Sequence, residues 1–312
     1  MAAHPAMALR ECEVTPEAQL IAFQQQRRRL LAGAALALPW LADVVRAQAP
    51  QALPRAALDA AGDSPSALAD ISAYNNYYEF SSDKQAVKFL AQALTLVPWT
   101  ITVEGEVEKP YTVDVDDLQR LFGVEERIYR LRCVEGWAMV IPWSGFALAR
   151  LIARARPTSG AKFVAFESLK RNSEMIGQRG GSLPWPYREG LRIDEAMHPL
   201  AFAATGLYGQ SLPKQNGAPL RLALPWKYGF KSAKAITTIR LVNAQPPSSW
   251  STLAPSEYGF YGNVNPQQPH PRWSQARENR IGELHKRPTL PFNGYAQWVA
   301  DLYRGQDPQT LF

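Results

Sequence analysis

The 312-residue chain holds only two cysteines, Cys12 and Cys133, and they lie far apart. Cys12 sits upstream of a segment with the layout of a secretory leader. Once that segment is removed, no disulfide can form within the chain, and the fold has to be held by apolar burial alone. The chain has enough material for that, since 46% of its residues are hydrophobic and 20% charged, which supports one large domain or two closely joined ones.

The leader is legible in "QQQRRRLLAGAALALPWLADVVRAQAP", where Arg27, Arg28 and Arg29 precede an apolar run from Leu30 to Ala42 and a small residue, Ala47, suits cleavage. The run is too short to span a bilayer. The arginine pair with Leu30 and Leu31 is similar to a twin-arginine export signal, which carries folded proteins to the periplasm; an ordinary secretory signal is the alternative. The expected division is therefore a signal peptide at 1–47 and one large domain at 48–312. The exported part keeps Cys133 and three histidines, His198, His270 and His285, with 29 bases against 24 acids.

Several chemistries lack their ligands. There is no CxxC, CxxCH or HExxH pattern and no close histidine pair, so zinc, iron–sulfur and c-type haem sites are not expected. No phosphate-loop or dinucleotide glycine pattern occurs, and the net charge of +6 is scattered, with no basic run interleaved with aromatics beyond the first fifty residues.

Periodicity points mostly to strands. "VPWTITVEGEV" (97–107) alternates, "DVDDLQRLF" (114–122) opens with aspartates suited to a helix start, and "AKFVAFES" (161–168), "APLRLALP" (218–225) and "AKAITTIRLV" (233–242) are further strand candidates. "DISAYNNYYEF" (70–80) reads as a structured loop. A helix is expected in "WSGFALARLIARARP", capped by Ser144, with Phe146, Leu148, Leu151 and Ile152 as its apolar stripe. Beyond about 245 the sequence is rich in Pro and Tyr with little periodicity, as in a tail that wraps a domain. The class expected is α+β, with mixed, mainly antiparallel sheets and few helices.

The segment "ERIYRLRCVEGWAMVIPW" holds the one retained thiol. Its alternation puts Tyr129, Leu131 and Cys133 on one strand face and Arg130 and Arg132 on the other. A cysteine so placed is either a small core hydrophobe or, where the chain departs from strand into "VEGWAMVIPW", a Gly-containing turn, a thiolate facing a cavity. Glu135, two residues on, is either a surface charge or a proton donor.

Five stretches, "YNNYYEF", "ERIYRLRCVEGWAMVIPW", "EAMHPLAFAATGLYG", "LPKQNGAPLRLALPWKYGFKSAK" and "EYGFYGNVNPQQPHPRWSQA", together resemble the periplasmic methionine sulfoxide reductase catalytic subunits of the MsrP family, molybdopterin enzymes with the sulfite oxidase fold. The resemblance implies a Mo-molybdopterin cofactor of one molybdenum and one pterin, with Cys133 as the protein's thiolate ligand to the metal. It implies pterin contacts from Asn75, Tyr78, Glu79, Ser168, Asn216, Arg221, Ser232, Ala233 and Lys234. Arg221 and Lys234 then serve a phosphate, with amides around Ser232 as an anion cradle. Ser168 stands where the family has threonine. Glu135 is the expected proton donor, and Tyr77, Trp137, Trp226, Tyr228 and Phe230 are expected to rim a shallow opening. The membrane haem protein MsrQ is the implied electron donor, oxidised periplasmic proteins the implied substrates, and a monomer the implied state apart from that complex.

Three other readings stay open at this point: an oxidoreductase of the same fold acting on sulfite or on small S- and N-oxides, a cysteine hydrolase pairing Cys133 with a histidine, and a metal-free binding protein.

Overall fold

In the computed structural model, residues 53–307 and 310–311 are described. The leader expected at 1–47 and the boundary after it lie outside the described residues.

Among the described residues twelve strands follow in chain order: β1 (Thr100–Gly105), β2 (Tyr111–Asp114), β3 (Glu125–Arg132), β4 (Trp137–Ala147), β5 (Phe163–Ser168), β6 (Arg188–Arg192), β7 (Phe202–Leu207), β8 (Gln210–Ser211), β9 (Arg221–Ala223), β10 (Ile236–Val242), β11 (Arg277–Arg280) and β12 (Arg287–Pro288). They build a five-stranded sheet in the order β2-β1-β10-β5-β6 and a seven-stranded sheet along β12-β11-β4-β7-β8, with β3 on β4 and β9 on β7. Only the β1–β10 and β11–β4 pairs are parallel. The mixed, mainly antiparallel α+β class expected from the sequence is the one found.

The strand β4 organises the second sheet. It is fully paired with β3 from Glu125↔Gly145 to Arg132↔Ala138, while its other edge takes β11 at its start and β7 at its end. Both faces are covered, so "WAMVIPW" reads as a continuous apolar run without alternation. Trp137, Met139, Ile141 and Trp143 nevertheless share one face by the two-residue period, and all four line a single cavity.

Several expectations are corrected here. The chain leaves strand only at Cys133–Gly136, and "WAMVIPWSGFA" is strand, not turn followed by helix. The helix begins at Leu148 and ends at Arg154, with no side-chain cap, so Ser144 is a strand residue and Phe146 packs from the sheet. The aspartate start is found: Asp114 accepts from the Asp116 amide at 2.9 Å ahead of the helix Leu118–Phe122. "DISA" closes a short helix, Leu68–Ala73, and the loop begins at Tyr74. Strands β6 and β7 were not expected, and the stretch beyond 245 contains the helix Ser249–Leu253 and strands β11 and β12.

Candidate active site

Cys133 directly follows β3, where the chain reverses into β4. Gly136 makes the turn possible: it adopts φ +88°, a conformation that favours glycine, and its amide donates to the Cys133 carbonyl at 3.0 Å. The thiol is free and buried, and it lines a cavity of about 860 Å³, mouth included.

That cavity gathers residues from remote parts of the chain. Asn75, Tyr78 and Glu79 come from the loop after the helix Leu68–Ala73, Cys133 and Glu135 from the β3–β4 turn, and Asn216, Arg221 and Lys234 from β9 and the segments flanking it. Gly217, at φ +106°, matters to this grouping, because a Cβ there would meet Lys234 and Arg221 carbons at 3.0–3.2 Å. Eight of the eleven residues expected from the sequence thus converge. Ser168, Ser232 and Ala233 do not line the cavity. The Ser232 and Ala233 amides donate to Gly229 O at 3.1 Å and Lys231 O at 3.2 Å, closing a tight turn.

The electrostatics are those of an unfilled set of donors and acceptors. Arg221 is buried, gives its hydrogens to the carbonyls of Asn216 (2.8 Å) and Leu222 (3.1 Å), and stacks over Trp143 at 4.8 Å. Burial brings its pKa down to about 10. Among the described residues neither Arg221 nor Lys234 forms an ion pair, although the buried Glu79 carboxylate acts on Lys234 electrostatically. Burial pushes Glu79 up and Lys234 down, both toward their neutral forms. Asn216 spends its amide hydrogens on Ile71 O and Asn75 Oδ1, both at 2.9 Å, and its own Oδ1 is buried without a partner. Ser168 Oγ, Asn76 Oδ1 and Tyr77 OH are likewise buried and unpartnered. Buried polar atoms normally find partners. This set of orphan atoms and unpaired cations, next to a free thiol, fits a bound group with an anionic end, hydrogen-bonding edges and a soft metal.

Around the thiol, Asn76 Nδ2 donates to Cys133 Sγ at 3.2 Å and to Glu135 Oε2 at 3.1 Å, and the Glu135 amide donates to the sulfur at 3.4 Å. Burial, then the Glu135 charge, pushes the thiol up to about 12 in the protein alone, which makes a metal the means of holding it as thiolate. Burial raises Glu135, but bonds from Asn76, Lys84 and Trp137 to its Oε2 outweigh this and hold it below the usual carboxylate range. Lys84 Nζ lies 3.1 Å from Oε2 of Glu135, the expected proton donor. Asn76 had no signal in the sequence beyond lying within "YNNYYEF", and Lys84 none beyond lying close after it.

Outward, the cavity widens into an aromatic vestibule of Tyr74, Tyr78, Trp137, Trp250, Tyr258 and Trp273, with Lys84 and Arg272. Of the expected rim, Trp137 and Phe230 line the cavity. Trp226 instead bonds Tyr303 OH at 2.9 Å in the core, Tyr77 is fully buried under Lys234, and Tyr228 lines a separate small pocket. Arg130 and Arg132 are away from the cavity, as their strand face requires. No histidine lines it, so a Cys–His hydrolase has no base beside Cys133.

The sequence pattern of the oxidoreductase molybdopterin binding domain family matches residues 90–250. Fold and site together define an oxidoreductase that binds a molybdopterin cofactor. The protein-methionine-sulfoxide reductase catalytic subunit MsrP of Burkholderia mallei is 58% identical over 247 residues, covering 78% of this chain and 75% of that protein. The same-named protein of Ralstonia nicotianae is 51% identical over 320 residues, covering 96% and 95%. This chain belongs to the family of protein-methionine-sulfoxide reductase catalytic subunits MsrP. Among solved structures, the sulfane dehydrogenase SoxCD of Paracoccus pantotrophus aligns at 17% identity and TM-score 0.41, over 69% of this chain and 59% of that one, a likeness too loose to bear on the site.

Proposed function

We propose that the chain reduces methionine sulfoxide, free and within proteins, to methionine, using a single molybdenum held by one pterin and by Cys133 Sγ. The observation that carries this reading is the meeting, in one cavity, of a buried thiol with buried Arg221 and half-buried Lys234, which have no ion pair among the described residues, and with the orphaned Oδ1 atoms of Asn76 and Asn216. When bound, the metal supplies oxygen-atom transfer coupled to two-electron redox chemistry.

The chain's own residues bind and orient. Arg221 and Lys234 are assigned the phosphate, and Asn75, Tyr78, Glu79, Ser168 and Asn216 the pterin edges. Ser232 and Ala233 join the phosphate end only if their turn reopens to release its amides. Asn76 Nδ2 spans Cys133 Sγ and Glu135 Oε2, and so orients both. Glu135 Oε2 links the inner cavity to Lys84 Nζ, which holds the proton closest to the mouth.

The vestibule supports a side chain presented by a polypeptide. It is broad, and its aromatic faces suit a sulfur-bearing side chain. Its two cations are already paired, Lys84 with Glu135 at 3.1 Å and Arg272 with Glu257 at 2.7 Å, so it has no free charge to gather sulfite. Repair of oxidised periplasmic proteins follows from export by the twin-arginine route, which the leader sequence supports. Electrons then come from the membrane haem protein MsrQ, a reading supported by the words "catalytic subunit" in the relatives' names. The chain is otherwise a monomer.

The test is turnover of the reduced enzyme on free methionine sulfoxide, on an oxidised test protein and on sulfite. Loss of one oxygen mass from the protein, with poor sulfite oxidation, is the expected result. Efficient sulfite oxidation with no change in the protein's mass favours the sulfite oxidase alternative.

A further inference from the structure

The turn that carries Cys133 is held from behind by a part of the chain beyond the matched domain pattern. Three of the turn's carbonyls, those of Cys133, Val134 and Gly136, are taken by donors. Cys133 O accepts from Arg132 Nη1 as well as from Gly136 N. Val134 O accepts from Gln275 Nε2 at 2.7 Å and from Trp273 Nε1 at 2.8 Å. Gly136 O accepts from the Asn279 amide at 2.8 Å, which starts the parallel β11–β4 pairing. The segment 273–289 thus works as a strap, and the pattern of the molybdopterin binding domain ends before it, at residue 250.

Arg132 is the knot between strap and turn. Its side chain is 0% exposed, and its guanidinium reaches Glu278 Oε2 at 3.0 Å, Gln275 Oε1 at 2.8 Å and Thr289 Oγ1 at 3.2 Å while also holding the Cys133 carbonyl. A planar fork with five donors can serve these acceptors at once, and an ammonium on a flexible stem cannot. Strand periodicity turns the Arg132 side chain away from the cavity, so it touches neither substrate nor cofactor. Burying such a pair is not by itself stabilising, whereas fixing the backbone of a ligand-bearing turn from outside its site is a common way to set a metal's surroundings.

We infer that Arg132, together with the strap at 273–289, is a positioning device that fixes the Cys133 turn and so the surroundings of the metal bound there. The inference rests on the assignment of Cys133 as ligand.

Two variants of the loaded full-length protein test it. Arg132→Lys keeps the positive charge opposite Glu278 but loses the fork, and Gln275→Leu removes the bond to Val134 O without changing charge. Hydrogen exchange is read at the amides of Cys133 and Gly136, and electron paramagnetic resonance at molybdenum(V). Exchange in the turn should accelerate roughly fivefold to tenfold, the effect of losing a hydrogen bond, while β1, β5 and β10 stay as in the parent. The molybdenum(V) signal should broaden or shift in both variants. Unchanged turn exchange, or acceleration spread evenly over both sheets, overturns the clamp. A parent signal without cysteine ligation overturns the ligand assignment instead, and the exchange data still decide whether the clamp exists.

Discussion

Two clusters of buried charge lie within fourteen residues of each other in sequence and are built on opposite terms. In one, Lys227 Nζ meets Glu195 Oε1 at 2.6 Å, Tyr261 O at 2.8 Å and Asn263 Oδ1 at 2.9 Å, and Lys231 Nζ meets Glu189 at 2.5 Å and Gly190 O at 2.7 Å. In the other, Arg221 and Lys234 have no ion pair among the described residues, and Asn216 Oδ1 and Ser168 Oγ have no partner at all. Both clusters are largely buried, so burial alone does not tell them apart. Satisfaction does. In the Lys227 cluster both cations have their counter-ions, although Asn263 Nδ2 is left without a partner, whereas the cations of the Arg221 cluster lack the partners that an anionic, hydrogen-bonding cofactor supplies.

The largest expected effect breaks the satisfied side. Lys227→Met leaves Glu195 buried without its counter-ion and should cost about 3–5 kcal/mol of stability by urea unfolding, with any change in cofactor content following from unfolding. A fully stable variant would remove the distinction between the clusters.

On the unsatisfied side the effects fall on the cofactor. Arg221→Ala and Lys234→Ala should each weaken cofactor retention by roughly 1.5–3 kcal/mol, the worth of a charge-assisted contact, while the cofactor-free protein is as stable as the parent or more so. Undiminished molybdenum and pterin in both variants would make these two cations structural.

The smallest effect sharpens the contrast with a half-buried pair near the surface. Asp63 accepts from Arg130 at 2.7 Å and from Arg280 at 2.9 Å. Burial raises its pKa, but the two arginines outweigh this and hold it below the usual value. A depressed carboxylate stabilises above its unfolded pKa and loses that contribution as pH falls through the folded one. Asp63→Asn should therefore cost about 1–2 kcal/mol at pH 7 and almost nothing in strong acid, near pH 2. An equal cost at both pH values would show that the ion pair contributes no charge-dependent stability.

How far the sequence reaches depends on how many faces of an element are buried. In β3 the alternation "ERIYRLRC" is visible, and the side assigned to Cys133 is the side it occupies. In β7, "FAATGL" is covered on both faces and carries no period to read, and β4 hid its strand character in the same way. Residues of the site within quoted motifs were reachable because neighbours in the chain remain neighbours in the loop. Lys84 and Trp250 were not, because folding alone brings them to the mouth, and aromatic content could not separate rim from core: Trp226 and Tyr77 are packed inside, while Trp250 comes from a stretch without periodicity.

The central claim is that the lone thiol and the unsatisfied cluster form one metal-cofactor site. Molybdenum analysis with electron paramagnetic resonance on the purified parent and on Cys133→Ala tests it most directly. The account predicts stoichiometric molybdenum in the parent, and in the folded variant an altered molybdenum signal or lost metal together with abolished turnover. A parent without molybdenum, or a variant with the parent's signal and full activity, would contradict it.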